Sequence, residues 1–411
     1  MASKTVKHWV GMVVLLCAVA GQFGCEALRN SRGMQITYNY VKTADGVTLA
    51  LRRYKPDQVA ADRDPVILCH GLGYNLLFWD LADRTSLARY LAREGFDVWS
   101  LSLRGAYPSS QSLNSTLRKM SRFNLPPEML KTLQKRLGDI RITNWSVDDH
   151  IQLDVPTAIA FVQAETGHKR VHWIGHSMGG MVMFAYLQDP SRARNAHSFV
   201  AVSVPMAVFH PLSEPLTFMH ESENALRLGS KVVGSSAPAA VGTVLGDMGL
   251  PMDRLFYNGD NIDEGVLRGL FYLAQEEISP GQLGQLLAMV RSERFTSVDG
   301  QMDYTGGLCE VTTPTYLLAG TVDNLATVGA VQFAFRQINS TEKEYDLFGR
   351  VNGQRNDYGH DDIIIGRQAK AEVYPRIAAW LERFPCRPHE SDMMLQPVVP
   401  SSSSAAAEEE G

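Results

Sequence analysis

Cysteine is scarce in this chain: five among 411 residues, at positions 17, 25, 69, 309 and 386. No two form a C-x-x-C pair and no Cys/His group has zinc-finger spacing, so neither a redox dithiol nor a structural zinc module is encoded locally. Runs of lysine or arginine are absent too. Lys and Arg total 39 against 44 Asp and Glu, a formal net charge of −5. That balance excludes the electrostatic footprint of a nucleic-acid binder and gives no attraction to an anionic membrane surface. Internal repeats are absent as well, which excludes a solenoid or propeller. No apolar run reaches the ~20 residues of a transmembrane helix. The longest, WVGMVVLLCAVA over residues 9–20, follows Lys4 and Lys7 and has the length of a secretory leader core.

That leader gives the first expectation. Residues 1–20 read as a signal peptide cut after Ala18-Val19-Ala20, which makes the chain an exported one, secreted or periplasmic. Cys25 offers a lipid-anchored alternative, although Gln22 and Phe23 before it suit that signal poorly, and an uncleaved membrane anchor is the other alternative. In an oxidising compartment Cys309 and Cys386 become candidates for a disulfide that spacing alone does not establish. Cys69 lies inside PVILCHG and reads as a buried thiol.

Hydrophobic residues make up 45% and charged residues 20%, enough to bury a large core. Residues 36–54 alternate around Asp45-Gly46, the pattern of a hairpin. VILC (66–69), DVWSLSLRG (97–105), VHWIG (171–175), SFVAVSV (198–204) and PTYLLAG (314–320) read as strands, several of them buried on both faces. SLARYLAREGF (86–96), DVPTAIAFVQAE (154–165) and GGMVMFAYLQ (179–188) read as helices between them. Strands alternating with helices predict an α/β fold, a mostly parallel sheet with helices on both faces. Its core is expected over 36–204 and 311–385. A helical, Met-rich cap is expected over 205–310, and SSSSAAAEEEG closes a disordered tail over 387–411.

Chemistry concentrates at Gly175-His176-Ser177-Met178-Gly179, a G-x-S-x-G set with a strand before it and a helix after it. A turn that sharp crowds its flanks, so Gly175 and Gly179 must lack Cβ, and Ser177 is left projecting as a candidate nucleophile. A serine hydroxyl needs a base, and the base needs an orienting acid. Asp323, two residues past PTYLLAG, and His360 in NDYGHDDII satisfy the order serine, acid, histidine. Asp361 and Asp362 are the competing acids, but side chains adjacent to His360 point away from its ring. Oxyanion donors are expected from the backbone N–H groups of Met178 and Leu72. His70 reads as a structural hydrogen-bonder and His176 as buried in the turn. Asp148, Asp149, His150 and Asp154 look like metal ligands, yet Ser146 makes them the acidic first turn of a helix. Neither metal nor cofactor is expected.

At these residues the chain resembles the α/β-hydrolase superfamily, in its acid lipase and esterase branch. The similar stretches are HGL (70–72), FDVWSLSLRG (96–105), WSVDDHIQLDVPTAIAFVQAETG (145–167), IGHSMGG and YGHDDII. The resemblance implies Ser177, Asp323 and His360 as catalytic triad, with Leu72 and Met178 at the oxyanion. FWDLADRTSLARYLAREGFDVW (78–99) is also similar to polyhydroxyalkanoate synthases, which carry cysteine where this chain has Ser177. The departure favours hydrolysis over chain building. Another departure is Met178, where the acid lipases usually have glutamine. The expected function is a serine hydrolase cleaving small-molecule or lipid carboxylic esters, with peripheral contact to a lipid surface and no nucleic-acid partner. An acyltransferase or polyester depolymerase on the same fold is the alternative within the chemistry, and a non-catalytic surface binding protein the alternative outside it.

Overall fold

A computed structural model describes residues 33–60, 62–109, 144–208, 253–276 and 278–386. The leader, Cys25, the tail over 387–411 and much of the expected cap lie outside these residues. Among the described residues eight strands form one sheet: β1 (Met34–Lys42), β2 (Thr48–Pro56), β3 (Val66–Cys69), β4 (Val98–Ser102), β5 (Val171–His176), β6 (Ala196–Val202), β7 (Thr315–Gly320) and β8 (Lys343–Phe348). Their spatial order is β1-β2-β4-β3-β5-β6-β7-β8. β1 and β2 form the antiparallel hairpin around Gly46, β2 lies antiparallel to β4, and every other pairing is parallel.

The inner strands are apolar on both faces because each face carries its own core. Ile67, Cys69, Trp173, Phe199, Ala201 and Leu317 pack on one side. Val66, Leu68, Ile174, Val200, Val202 and Leu318 pack on the other. The period of two along each strand thus divides one continuous apolar run between two layers of helix. Helix α1 (Leu87–Arg93) starts at Ser86, whose hydroxyl accepts from Arg89 N at 3.1 Å. Helix α2 (Val155–Thr166) is preceded by a π turn (His150–Asp154) and ends at Gly167, which has φ 75°. Helix α3 (Met178–Tyr186) is buried along all nine residues, the central helix of the fold. The chain between β6 and β7 supplies α4 (Pro280–Ser292), started by a Ser279/Gln282 capping box. Helices α5 (Val328–Gln337) and α6 (Tyr374–Glu382) complete the layers.

The Cys309–Cys386 disulfide considered from sequence is not formed. Cys309 is an exposed free thiol in a short helical turn (Gly306–Glu310), and Cys386 is a separate free thiol whose N–H is bonded to Asp62 O at 2.6 Å. Among the described residues no helix is long and apolar enough to cross a membrane.

The sheet reverses direction of growth at β3: the next strand, β4, lies on one side and β5 on the other. In open parallel sheets that switch point leaves a crevice beyond the carboxyl ends of the strands. The turns after β3 (Gly71-Leu72) and after β5 (Ser177) therefore open on the same crevice. Because Leu68 is fully buried on central β3, Leu68→Ala is expected to lower the free energy of unfolding by ~2–5 kcal/mol, read from urea denaturation.

Candidate active site

Ser177 takes φ 51° and ψ −121°, a backbone conformation that L residues rarely adopt. The strain is held from three sides. Its N–H is bonded to Val202 O at 3.0 Å, and its carbonyl accepts from Gly180 N at 2.9 Å and Met181 N at 3.0 Å. A Cβ at Gly175 would overlap the backbone of Gly179, and a Cβ at Gly179 would overlap the carbonyls of Cys69 and His70. Both glycines are therefore demanded by close approach of backbone to backbone. α3 begins at Met178, so its free N–H groups lie next to the Ser177 side chain.

Asp323 follows β7, and His360 enters on the loop after β8. The His360 Nδ1 lies 3.0 and 3.1 Å from the two Asp323 carboxylate oxygens. Asp323 is fixed in turn by N–H donors from Leu325 (2.9 Å) and Ala326 (2.8 Å). His360 is buried. Burial disfavours the imidazolium, but the Asp323 charge and hydrogen bond, with Asp361 and Asp362, outweigh it, and the His360 pKa lies above its ordinary value. Ser177 and His360 line one cavity of about 150 Å³, together with Leu72 and Met178. No hydrogen bond joins the Ser177 hydroxyl to His360; such contacts often tighten only once substrate is bound. The cavity walls are otherwise almost wholly apolar, with Met181, Leu286, Leu287, Met289 and Phe295 among them.

His70 and His176 are used in the scaffold. His70 Nε2 accepts from Leu103 N at 3.2 Å, and burial pushes its pKa down to about 4. His176 is stacked on Phe78 at 4.7 Å, and its Nε2 lies 3.0 Å from the His360 carbonyl. Burial and the nearby His360 charge hold its pKa well below the usual histidine range. It braces the His360 backbone as a neutral ring. The acidic group at 148–154 is likewise consumed by hydrogen bonds. Asp149 Oδ2 caps Ser146 N at 2.7 Å, Asp148 accepts from Gln285 and Tyr304, and Asp154 binds Arg104 and His150.

Two features were not legible in the sequence. Asp362 accepts from Asn258 N, Gly359 N and Asn261 Nδ2 at 2.7–3.0 Å, and so fixes the turn that presents His360. Asp361 is wholly buried, with one oxygen taking the Tyr74 hydroxyl at 2.5 Å and the other 3.7 Å from His176 Nε2. Burial pushes the Asp361 pKa up to about 7, against the pull of His360 and the Tyr74 hydrogen bond. The paired acids in GHDDII give the only sequence signal for either feature.

This sheet, with a strained serine at the end of β5, has the α/β-hydrolase fold, and the chain is similar to lipases and esterases. A sequence profile described as the alpha/beta hydrolase fold matches residues 64–237. The chain is 26% identical over 379 residues to triacylglycerol lipase 1 of Arabidopsis thaliana, covering 85% of this chain and 88% of that protein. It is 28% identical over 200 residues to human gastric triacylglycerol lipase, covering 47% of this chain and 45% of that one. Among solved structures, a bacterial membrane phospholipase A superposes with TM-score 0.52 at 16% identity, covering 92% of this chain and 98% of the other. An esterase from Exiguobacterium antarcticum superposes with TM-score 0.52 at 12% identity, covering 84% and 99%.

Since Gly179 packs against the end of β3, Gly179→Ala is expected to destabilise the protein by ~1–3 kcal/mol in thermal or urea unfolding. The clash is with backbone, so no rotamer change relieves it.

Proposed function

We propose that this chain is a carboxylic ester hydrolase that works through Ser177, His360 and Asp323 by way of an acyl-enzyme. The observation that carries the reading is the buried His360–Asp323 pair opening on the same apolar cavity as the strained Ser177. His360 takes the Ser177 proton as the oxygen attacks the ester carbonyl, and the N–H groups of Met178 and Leu72 receive the oxyanion. The imidazolium returns the proton to the leaving alcohol. Water, deprotonated by the same ring, then releases the acid. Asp323 holds the ring in place and balances its charge.

The apolar walls support an aliphatic acyl group as the part of the substrate that is bound. A volume of about 150 Å³ is below the ~300 Å³ where drug-sized pockets begin, so it suits one acyl segment with the alcohol part outside. Phe256 and Ile278, both lining the cavity and each 39% exposed, give its rim an apolar surface suited to peripheral contact with lipid. The triacylglycerol lipases among the relatives support lipid esters as the substrate class. Export, read from residues 1–20, belongs to the same proposal.

On p-nitrophenyl esters, Ser177→Ala is expected to reduce turnover to background while leaving thermal stability nearly unchanged. Octanoate should be cleaved faster than acetate. Turnover requires neutral His360, so kcat/KM should fall as pH drops through a pKa above the ordinary ~6.5 of histidine. Asp323→Asn removes the charge that raises that pKa while burial still lowers it, so the acid limb should move to lower pH and kcat should fall by roughly 10³–10⁴-fold. An acid limb that stays in place in Asp323→Asn contradicts the role given to Asp323.

A further inference from the structure

At the opposite ends of the strands from Ser177, a second group of polar side chains gathers from segments far apart in sequence. Asp64 lies before β3 with one residue, Pro65, between them, His168 follows α2, and Cys386 follows α6. One ligand atom from each of these three residues lies within 4.8 Å of the other two. Asp64 is buried, and its Oδ1 lies 2.8 Å from His168 Nδ1. Its Oδ2 lies 2.6 Å from His197 Nδ1. His168 and Cys386 are only partly buried, so the group is reached from solvent on their side.

Asp64, His172 and His197 form an overlapping group at the same separation, but ring geometry rules it out as a coordination sphere. A metal bound by imidazole lies near the plane of each ring. The His172 and His197 rings are stacked, 5.2 Å between centroids and 11° apart in plane, so their lone pairs run in nearly parallel planes and do not converge. His172 Nδ1 is already paired with Ser198 Oγ at 2.9 Å. The group of Asp64, His168 and Cys386 holds a single imidazole, so no stacked rings oppose coordination, and the bond His168 makes is to another member of the group.

We propose that Asp64, His168 and Cys386 together bind one divalent cation of the zinc class. A carboxylate oxygen, an imidazole nitrogen and a thiolate sulfur form the mixed donor set that zinc-like ions favour over calcium or magnesium, which take oxygen alone. Three protein ligands leave a fourth, solvent-facing position for water. Tetrahedral donors at zinc distances stand about 3.5 Å apart, so the group needs to contract from separations of up to 4.8 Å by about an ångström. His168 and Cys386 both sit outside regular elements and can make that shift. On binding, the metal replaces the hydrogen bonds that Asp64 shares with His168 and with the Cys386 thiol, and that thiol gives up its proton to solvent. The bond from His197 to the second Asp64 oxygen persists and orients the carboxylate. The ion would clip the end of α6 to the start of β3, closing a loop that spans most of the described chain.

The test is titration of untagged, chelator-treated, folded protein with cobalt(II), followed by the thiolate-to-cobalt charge-transfer absorption and then by displacement with zinc. One cobalt per chain with that band, lost in Cys386→Ser and retained in Cys309→Ser, is the expected result. His168→Gln should weaken binding by roughly tenfold or more, and zinc should raise the melting temperature of the unaltered protein but not of Cys386→Ser. If Cys386→Ser does not fold, as judged by loss of cooperative thermal unfolding, His168→Gln decides. Absence of the band at stoichiometric cobalt, or binding indifferent to both substitutions, overturns the site.

Discussion

No side chain fits at positions 175 and 179. That steric constraint is what lets α3 leave β5 within one residue, with Ser177 forced into a conformation its backbone would not choose. Two carbonyls at the end of β3 press against Gly179, so the turn that would hold an oxyanion is placed by the same contact that holds the serine. Burial of every residue of α3 between the sheet and its outer layer supplies the stability that the strained turn consumes. The strain is thus a property of the whole central layer.

The electrostatics of the site follow from burial of the His360 loop. A buried imidazole on its own would lose its proton easily and make a weak base. The Asp323 carboxylate reverses that tendency, and the two acids after His360 add to it. Asp362 is spent on holding the turn, through three N–H donors. Asp361, next to His360 in sequence, takes the Tyr74 hydroxyl and lies beside His176, with no hydrogen bond to the His360 ring. Three carboxylates within reach of one imidazole therefore have three different tasks, and only one of them touches the ring nitrogen.

Much of this was legible in the sequence because the central strands are buried on both faces. Uninterrupted apolar runs such as VILC and VHWIG mark a covered parallel sheet, and G-x-S-x-G between a strand and a helix marks the serine turn. β8 was not legible. It is an edge strand, KEYDLF, paired on one side and mostly half-exposed, so it shows no apolar run. The π turn before α2 also left no pattern, since it alters the spacing within a helix whose residues look ordinary. The Asp323–His360 contact was readable from the place of Asp323 just past a strand end, whereas the Tyr74–Asp361 contact joins residues 287 apart in sequence and has no local signal. The same reason hid the Asp64, His168 and Cys386 group: spacing rules find metal ligands on one hairpin or helix, not on three remote segments.

The proposed chemistry requires the alcohol oxygen of Ser177 to be made reactive by a base distant in sequence. Exposure of the folded protein to a fluorophosphonate, with the modified residue mapped by mass spectrometry, tests that directly. Rapid stoichiometric modification at Ser177, slowed by orders of magnitude in His360→Ala, is the predicted result. A folded protein whose Ser177 stays unmodified, or reacts equally fast without the imidazole, would contradict it.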